Sequence, residues 1–205
     1  MLKHLLTSTL ALATLGALAQ TQFNPQIGLT MQNLTETPEG TEASLTAGWQ
    51  IGADVRIGDA LYVAPGMHFA RSATVIATQV GTDSVSTEIE DNLIRSYLKL
   101  RALVGYKLIN EDAFKLRVQA GPSYDLLLSV QDKDDKFEWD KDEDFNSGTW
   151  NIDAGVGVDI SIITVEAGAQ IGMSNVFKDD GSLKDYDSKY MTWYLTVGLV
   201  FGGGS

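Results

Sequence analysis

The chain contains no cysteine, and this absence removes several classes of protein at once. Without a thiol there is no disulfide, no thiolate metal site and no cysteine nucleophile. Histidine is nearly as scarce, since His4 and His68 are the only two in 205 residues. Chemistry that depends on a thiol is excluded, and catalysis by imidazole would rest on very few side chains.

Basic residues are also few, because 15 Lys and Arg stand against 27 Asp and Glu, which gives a net charge of −12. A nucleic acid is bound through Lys and Arg contacts to its phosphates, so an acidic chain of this kind would repel it. We therefore expect no nucleic-acid partner. The acidic residues are unevenly spread, so the charge does not argue against a membrane.

Long apolar runs are missing after residue 20, where none approaches the about eighteen residues of a transmembrane helix. The start of the chain differs: Met1-Leu-Lys-His is short and basic, 5–15 is largely apolar, and Ala17 and Ala19 are small. This pattern predicts a secretory signal peptide at 1–19, cleaved after Ala19. The exported chain would then have one way left to span a membrane, a closed β-barrel.

What the chain does have is a two-residue apolar period. From 45 to 57 every odd residue is apolar, and from 114 to 130 the even residues are apolar. Comparable segments occupy 26–34, 61–69, 97–108, 150–160, 163–173 and 191–201. Alternation of this length predicts two-faced strands that are longer than those of most soluble sheets. We predict an all-β fold, an eight-stranded antiparallel up-and-down transmembrane β-barrel.

The connections between these segments alternate in length. The long ones are 35–43, 70–96, 131–149 and 174–190, and the short ones are 58–60, 109–113 and 161–162. Outer-membrane barrels have short periplasmic turns and longer extracellular loops. We therefore expect periplasmic termini and an outer-membrane location. The barrel domain would be 20–201, with 202–205 a Gly-rich tail or linker scar.

A soluble barrel with an internal ligand would show the same period with its apolar face inside. The glycines favour the opposite arrangement, because residues such as Gly52 and Gly168 share the polar face, where a crowded interior suits them. Aromatic residues lie on the apolar face, many near strand ends, as in the girdles at membrane interfaces. The predicted girdle residues are Trp49, Phe69, Tyr106, Tyr124, Trp150, Trp193 and Phe201.

Charged residues on the predicted inner face nearly cancel. The lumenal network comprises Asp54, Arg56, Lys99, Arg101, Arg117, Asp125, Asp153, Asp159 and Glu166, with Lys107 and Lys115 on the same face. An eight-stranded barrel is only wide enough for its side chains, so these charges should pair and close the lumen. Counting back from the 109–113 turn places Asp125 opposite Tyr97 and diagonal to Lys99. A hydrated passage lined by the same charges is the alternative.

No catalytic, cofactor or metal site is predicted. His68 lies in mid-strand on the inner face, whereas an enzyme acting on lipid would place histidine at the outer rim. The acidic segment 132–144 lacks the glycine that an EF-hand loop has at its sixth position, and its lysines would compete with a cation. We interpret this segment as a solvated loop.

Four segments resemble strands of the PorT-like outer-membrane β-barrel family. Ser96-Tyr-Leu-Lys-Leu-Arg-Ala-Leu-Val-Gly-Tyr-Lys-Leu108 resembles a strand that usually reads Tyr-Leu-x-x-Pro, with Arg101 in place of the proline. Ala120-Gly-Pro-Ser-Tyr-Asp-Leu-Leu-Leu128 is similar to the Gly-Pro strand. Leu61–Phe69 and Gly155–Asp159 are similar to the third and sixth strands. The resemblance implies an eight-stranded outer-membrane barrel. One member of the family has a part in protein secretion and most have no known activity, so the resemblance implies no functional residues.

Three functions remain open at this point. The first is a non-enzymatic structural or interaction barrel of the cell envelope, which we expect to be monomeric. Its partners would be outer-membrane lipid and an envelope protein that contacts the extracellular loops. The second is a narrow channel for ions or small solutes. A lipid-modifying barrel enzyme is the third, and it is disfavoured because no catalytic group lies at the rim.

Overall fold

The computed structural model describes residues 21–35, 41–44, 46–80, 87–132, 145–176 and 189–203, all of them strand or short connection. The strands are β1 (Thr21–Leu34), β2 (Thr41–Ser44), β3 (Thr46–Gly58), β4 (Leu61–Val80), β5 (Thr87–Asn110), β6 (Phe114–Asp132), β7 (Gly148–Ile160), β8 (Ile163–Gly172), β9 (Tyr190–Leu199) and β10 (Phe201–Gly202). One residue separates β2 from β3, and one residue separates β9 from β10. If each of these pairs is counted as one interrupted strand, the wall of the barrel has eight strands, which we call staves.

The staves pair in chain order, every pair antiparallel, and the first closes on the last. β1 pairs with β9 from Gln26↔Gly198 to Leu34↔Tyr190, and β10 extends the contact at Phe23↔Phe201. Closure leaves no free sheet edge around the wall, which is the way a β-structure satisfies its backbone groups in lipid. The predicted fold, an eight-stranded antiparallel barrel, is confirmed. The described residues include no helix that could cross a membrane.

The expected boundary at residue 201 falls slightly short of the pairing. Gly202 pairs with Gln22, and the backbone N–H of Gly203 donates to the carbonyl of Thr21 at 3.0 Å. The last staves therefore include the start of the Gly-rich segment. The signal-peptide assignment lies outside the described residues.

The expected loop at 70–96 is wrong over most of its length. β4 and β5 stay paired from Ala70↔Tyr97 up to Val80↔Thr87, and β2 pairs alongside β4 at Ser44↔Val75. The apolar alternation that marked the other strands fades here because a strand beyond the lipid needs no apolar face. Its Val, Ile and Thr content still favours strand. The segment 132–144 lies outside the described side chains.

The predicted register between β5 and β6 is also wrong, by two residues. Asp125 lies opposite Lys99, and Tyr97 lies opposite Leu127. The hairpin turns later than expected, and the register shifts between Lys107 and Ile109, where the strand is irregular. The later turn, at which Glu111 and Phe114 bond each other, moves the pairing by three residues, and the irregularity moves it back by one. A count from the expected centre of the turn foresees neither change.

Apolar side chains point out from the wall and polar ones point in. Along β6, Val118 is 36% exposed whereas Gln119 is 5% exposed. Some glycines on the inner face lie directly beside a large lumenal side chain. A Cβ at Gly168 would meet the Tyr194 ring, and one at Gly157 would meet the Arg117 guanidinium. These glycines leave room for the side chains that fill the lumen.

We expect arginine in place of Val118 to lower the free energy of unfolding by about 2–4 kcal/mol, the cost of a charge that faces lipid near mid-membrane. Denaturant titration of the refolded protein in liposomes would measure the change. Val118→Leu is the matched control for packing, and Asp112→Arg, in the exposed short turn, is the control for charge. Equal effects of Val118→Arg and Asp112→Arg would contradict the outward assignment.

Candidate functional site

The lumen of the barrel contains many buried charged and polar side chains. The structure places all nine residues of the sequence-derived network there, each buried: Asp54, Arg56, Lys99, Arg101, Arg117, Asp125, Asp153, Asp159 and Glu166. They come from β3, β5, β6, β7 and β8, on alternate positions of each strand. Six of them form one connected group, and three do not join it.

The connected group, which we call the ionic layer, consists of Asp54, Arg56, Arg101, Arg117, Asp159 and Glu166. Arg101 lies at its centre, since its Nε donates to Asp54 Oδ1 at 2.9 Å and its Nη1 donates to Glu166 Oε1 at 3.4 Å. Arg117 continues from there, with Nη1 donating to Glu166 Oε2 at 2.9 Å. Arg101 thus bridges the carboxylates of β3 and β8.

The other end of the ionic layer crosses the barrel. Arg56 Nη1 donates to Asp159 Oδ2 at 3.0 Å, and Arg117 Nε donates to Asp159 Oδ1 at 3.4 Å. Arg56 is on the second stave and Asp159 on the sixth, so the bond joins opposite sides of an eight-stave wall. A direct salt bridge of this length between opposite staves means that side chains fill the lumen at this level.

Further polar side chains complete the ionic layer. The sequence predicts His68 on the inner face, but the predicted network includes none of these side chains. His68 Nε2 lies 3.0 Å from Asp54 Oδ1, and Gln26 donates to Asp54 Oδ2. Asn24 Oδ1 accepts from Arg56 Nη2 at 2.7 Å. On the far side, Gln119 Oε1 accepts from Arg117 Nη1 at 2.9 Å. The sequence did contain a signal for Asn24 and Gln26, because polar residues alternate with apolar ones along β1 and therefore share its inner face.

These contacts offset the free energy that is lost when the charged side chains are removed from water. An ion pair removed from water repays its desolvation only when its remaining donors and acceptors are also bonded. In the ionic layer the three guanidinium groups balance the three carboxylates, and Asn24, Gln26 and Thr164 take up further bonds, the last from Arg117 Nη2 at 3.0 Å. Such a connected network is rigid, because moving one member breaks bonds to several others.

Three predicted network residues lie outside the ionic layer. Asp125 accepts from Gln170 Nε2 at 3.1 Å, and Lys99 Nζ lies 5.7 Å from the centroid of the Tyr194 ring. Asp153 is completely buried, and neither carboxylate oxygen has a hydrogen-bond partner in the part of the chain that the structure describes. Arg101 and Arg117 pair with Asp54, Asp159 and Glu166, not with Asp153.

A polar cavity of about 710 Å³ occupies the short-turn end of the lumen. Lys107 and Lys115 line it, and Lys107 Nζ lies 3.9 Å from Asp59 Oδ1. Asp159 is both a wall of this cavity and a member of the ionic layer, so the ionic layer lies directly behind the cavity. Among the residues that the structure describes, no cluster of three or more metal-ligating side chains was found.

The predicted girdle residues lie on the outer surface in two groups. Tyr106 and Phe201 are near the short-turn end, on β5 and β10. The other five lie toward the long connections, where Trp49 packs on Phe69 with ring centroids 5.6 Å apart and Tyr124 packs on Trp150 at 5.0 Å. The fifth, Trp193, is exposed on β9. Aromatic side chains at two levels of an apolar wall are suited to the two membrane interfaces.

A closed antiparallel barrel with an apolar outer wall and a polar, filled interior is the architecture of a small outer-membrane protein. The chain belongs to the outer membrane protein beta-barrel domain family, which matches residues 18–178. It is accordingly a protein of the outer membrane. Comparison with curated protein sequences finds no match.

Several solved structures resemble the chain. Ail, the attachment invasion locus protein of Yersinia pestis, is 12% identical over 89% of this chain and 99% of that one, with a TM-score of 0.45. The N-terminal barrel of Pseudomonas aeruginosa OprF is 11% identical over 89% and 100%, with a TM-score of 0.37. The translocator domain of the autotransporter NalP from Neisseria meningitidis is 16% identical over 94% and 92%, with a TM-score of 0.41.

Replacing Arg101 with methionine should lower the free energy of unfolding by about 3–5 kcal/mol, because it leaves two buried carboxylates without their shared cation. Urea titration monitored by tryptophan fluorescence would measure the loss. Arg71→Met is the matched control, since Arg71 is exposed and, among the described residues, bonds Gln131 alone, at 3.3 Å. A loss at Arg101 as small as that at Arg71 would show that the ionic layer adds nothing to stability.

Proposed function

We propose that this protein is a non-enzymatic outer-membrane barrel with a closed lumen, which acts as a structural or interaction protein of the cell envelope. The observation that carries the proposal is the ionic layer. Its Arg56–Asp159 bond spans opposite staves, and Arg101 and Arg117 fill the space beside it. With the lumen closed, partners would contact the outer surface of the barrel and the segments that extend beyond it.

The ionic layer opposes conduction in two ways. Its side chains occupy the cross-section, and its three positive and three negative charges leave no single-sign ring of the kind that selects ions in channels. To open a passage, Arg101 would have to release both Asp54 and Glu166. Each separated charge would then be buried and unpaired, which costs several kcal/mol.

The β4–β5 hairpin is the surface that we assign to a partner. β3 last pairs with β4 at Ser72. Beyond it the β4–β5 hairpin continues to Val80, with β2 paired beside β4 from Val75 to Thr78. Eight residues of strand extend about 25 Å. In the orientation that we propose, with the termini and short turns in the periplasm, this hairpin projects from the cell. An envelope or extracellular protein would contact it there, and the barrel itself would be a monomer in lipid.

The non-enzymatic assignment rests on the surroundings of His68, the histidine of the barrel wall. His68 is buried in mid-strand and bonds Asp54, so its ring has no path to a lipid substrate at the rim. Within the family, the strand motifs at 96–108 and 120–128 support a PorT-like relationship. That relationship favours an envelope role over catalysis.

Recording in a planar bilayer tests the closed lumen. The unmutated protein should give no steady, long-lived conductance, because the ionic layer blocks the passage. A porin recorded in the same bilayer serves as the control for detection. Steady conductance from the unmutated protein would establish the alternative, a narrow channel for ions or small solutes.

Photo-crosslinking in intact cells tests the partner surface. A crosslinkable amino acid in place of Gln79, on the hairpin, should give protein adducts. The matched variant carries the same amino acid in place of Asp112, in the short turn at the opposite end. We expect different adducts from the two positions. Adducts with an extracellular or surface protein from position 112 alone would contradict the proposed orientation.

A further inference from the structure

The lumen toward the long connections differs from the ionic layer in one respect. Several of its buried polar atoms have no hydrogen-bond partner among the described residues: Thr30 Oγ1, Gln32 Oε1, Gln50 Oε1, Arg95 Nε and Nη1, Asp153 Oδ1 and Oδ2, Tyr190 OH and Thr192 Oγ1. No carboxylate or guanidinium atom of the ionic layer is among them, although Nδ1 of His68, beside Asp54, is also without a partner among the described residues. We call this region the upper lumen.

The strand register brings the central members of this set into one row. Gln32 on β1 lies opposite Thr192 on β9, Thr192 opposite Gln170 on β8, and Gln170 opposite Asp153 on β7. Neighbouring strands are about 4.8 Å apart, and side chains at paired positions share a face. All four side chains are buried, so the free oxygens of Gln32, Thr192 and Asp153 face a common interior space. Gln170 lies in the same row and donates to Asp125.

The chemistry of the set specifies what would satisfy it. Both oxygens of Asp153 and the amide oxygens of Gln32 and Gln50 can only accept hydrogen bonds. Leaving an acceptor buried and unbonded costs about 1–3 kcal/mol, and more for a charged group. The site therefore needs a small species with hydrogen-bond donors that can reach several strands.

Charge decides between a cation and a neutral donor. The upper lumen already holds two cations, Lys99 and Arg95, and two carboxylates, Asp125 and Asp153. Arg95 lies over the Tyr190 ring, 4.1 Å from its centroid, and Lys99 lies near Tyr194. A further cation would leave an uncompensated charge in a buried site, whereas water supplies donors without one. Buried water commonly makes about three bonds to such groups.

We propose that the upper lumen is a binding site for a cluster of water molecules, anchored on the Asp153 carboxylate. The cluster connects Asp153 to Thr192 and Gln32 along the row and joins it to Lys99 as a water-mediated ion pair. The lumen then has a dry ionic layer toward the short turns and a hydrated layer above it. This division holds whether or not the hairpin binds a partner.

Solution NMR of the refolded protein in deuterated detergent tests this site without any substitution. Cross-relaxation with long-lived water should appear at amide protons of Gln32, Asp153 and Thr192. It should be absent at those of Arg117 and Glu166, in the ionic layer. Absence at both levels would overturn the proposal.

A pair of matched substitutions gives an independent readout. Thr196 Oγ1 donates to Gln26 Oε1 at 2.8 Å, so Thr196→Val should lower the denaturant midpoint by removing a bond. Thr192→Val should lower it similarly, because the hydroxyl bonds water. If the upper lumen is dry, Thr192→Val removes an unsatisfied group and the midpoint rises instead. That result would refute the site.

The last arm separates water from a bound cation. The denaturant midpoint is measured in sodium, potassium and calcium chloride and in a bulky organic cation, at one ionic strength. We expect no dependence on the cation. Stabilisation by one metal ion that disappears in Asp153→Asn would show that the site binds that ion, and the assignment to water would be wrong.

Discussion

A strand that crosses lipid has to satisfy every backbone N–H and C=O within the protein, and the pairing of β1 with β9 meets that demand. The rest of the structure follows from this closure. Eight staves enclose a narrow space, and the alternation of each strand sends one set of side chains into it. Because the outer set must be apolar, the inner set carries the polar residues. A small lumen that holds six charges in one layer then has to pair them.

Glycines in the wall provide the space that large lumenal side chains need inside a narrow barrel. Tyr194 fits because Gly168 gives it a bare stretch of wall, and Arg117 fits in the same way against Gly157. Both side chains also bond Glu166, Arg117 at 2.9 Å and Tyr194 at 3.2 Å. The glycines therefore contribute to the structure by allowing the contacts of the ionic layer to form. They let two large groups converge on one carboxylate from different strands, at the cost of weaker local strand propensity.

Sequence alone predicted the features that lipid imposes. The eight staves and their facing were readable because the bilayer requires an apolar residue at every second position, as from 45 to 57. The hairpin from Ala73 to Val80 was not readable, since water on both faces imposes no such pattern. The Lys99–Asp125 register was missed because the hairpin turns between Glu111 and Phe114, later than the centre of the expected 109–113 connection. Of the ionic layer, the charged members followed from facing, but the Arg56–Asp159 bond joins strands that are not neighbours, and no local rule specifies it.

The ionic layer also limits where function can be located. A side chain that already makes three or four hydrogen bonds to buried partners cannot bind a substrate without leaving those partners unsatisfied. Arg101 and Arg117 are both in this position. The outer wall is uniformly apolar between its two aromatic levels, which suits lipid and offers few polar contacts for specificity. What remains are the two ends. The short-turn end has a polar cavity backed by a closed layer, and the other end has the β4–β5 hairpin. A barrel built in this way would hold that hairpin rigidly, which suits the partner contact that we propose for it.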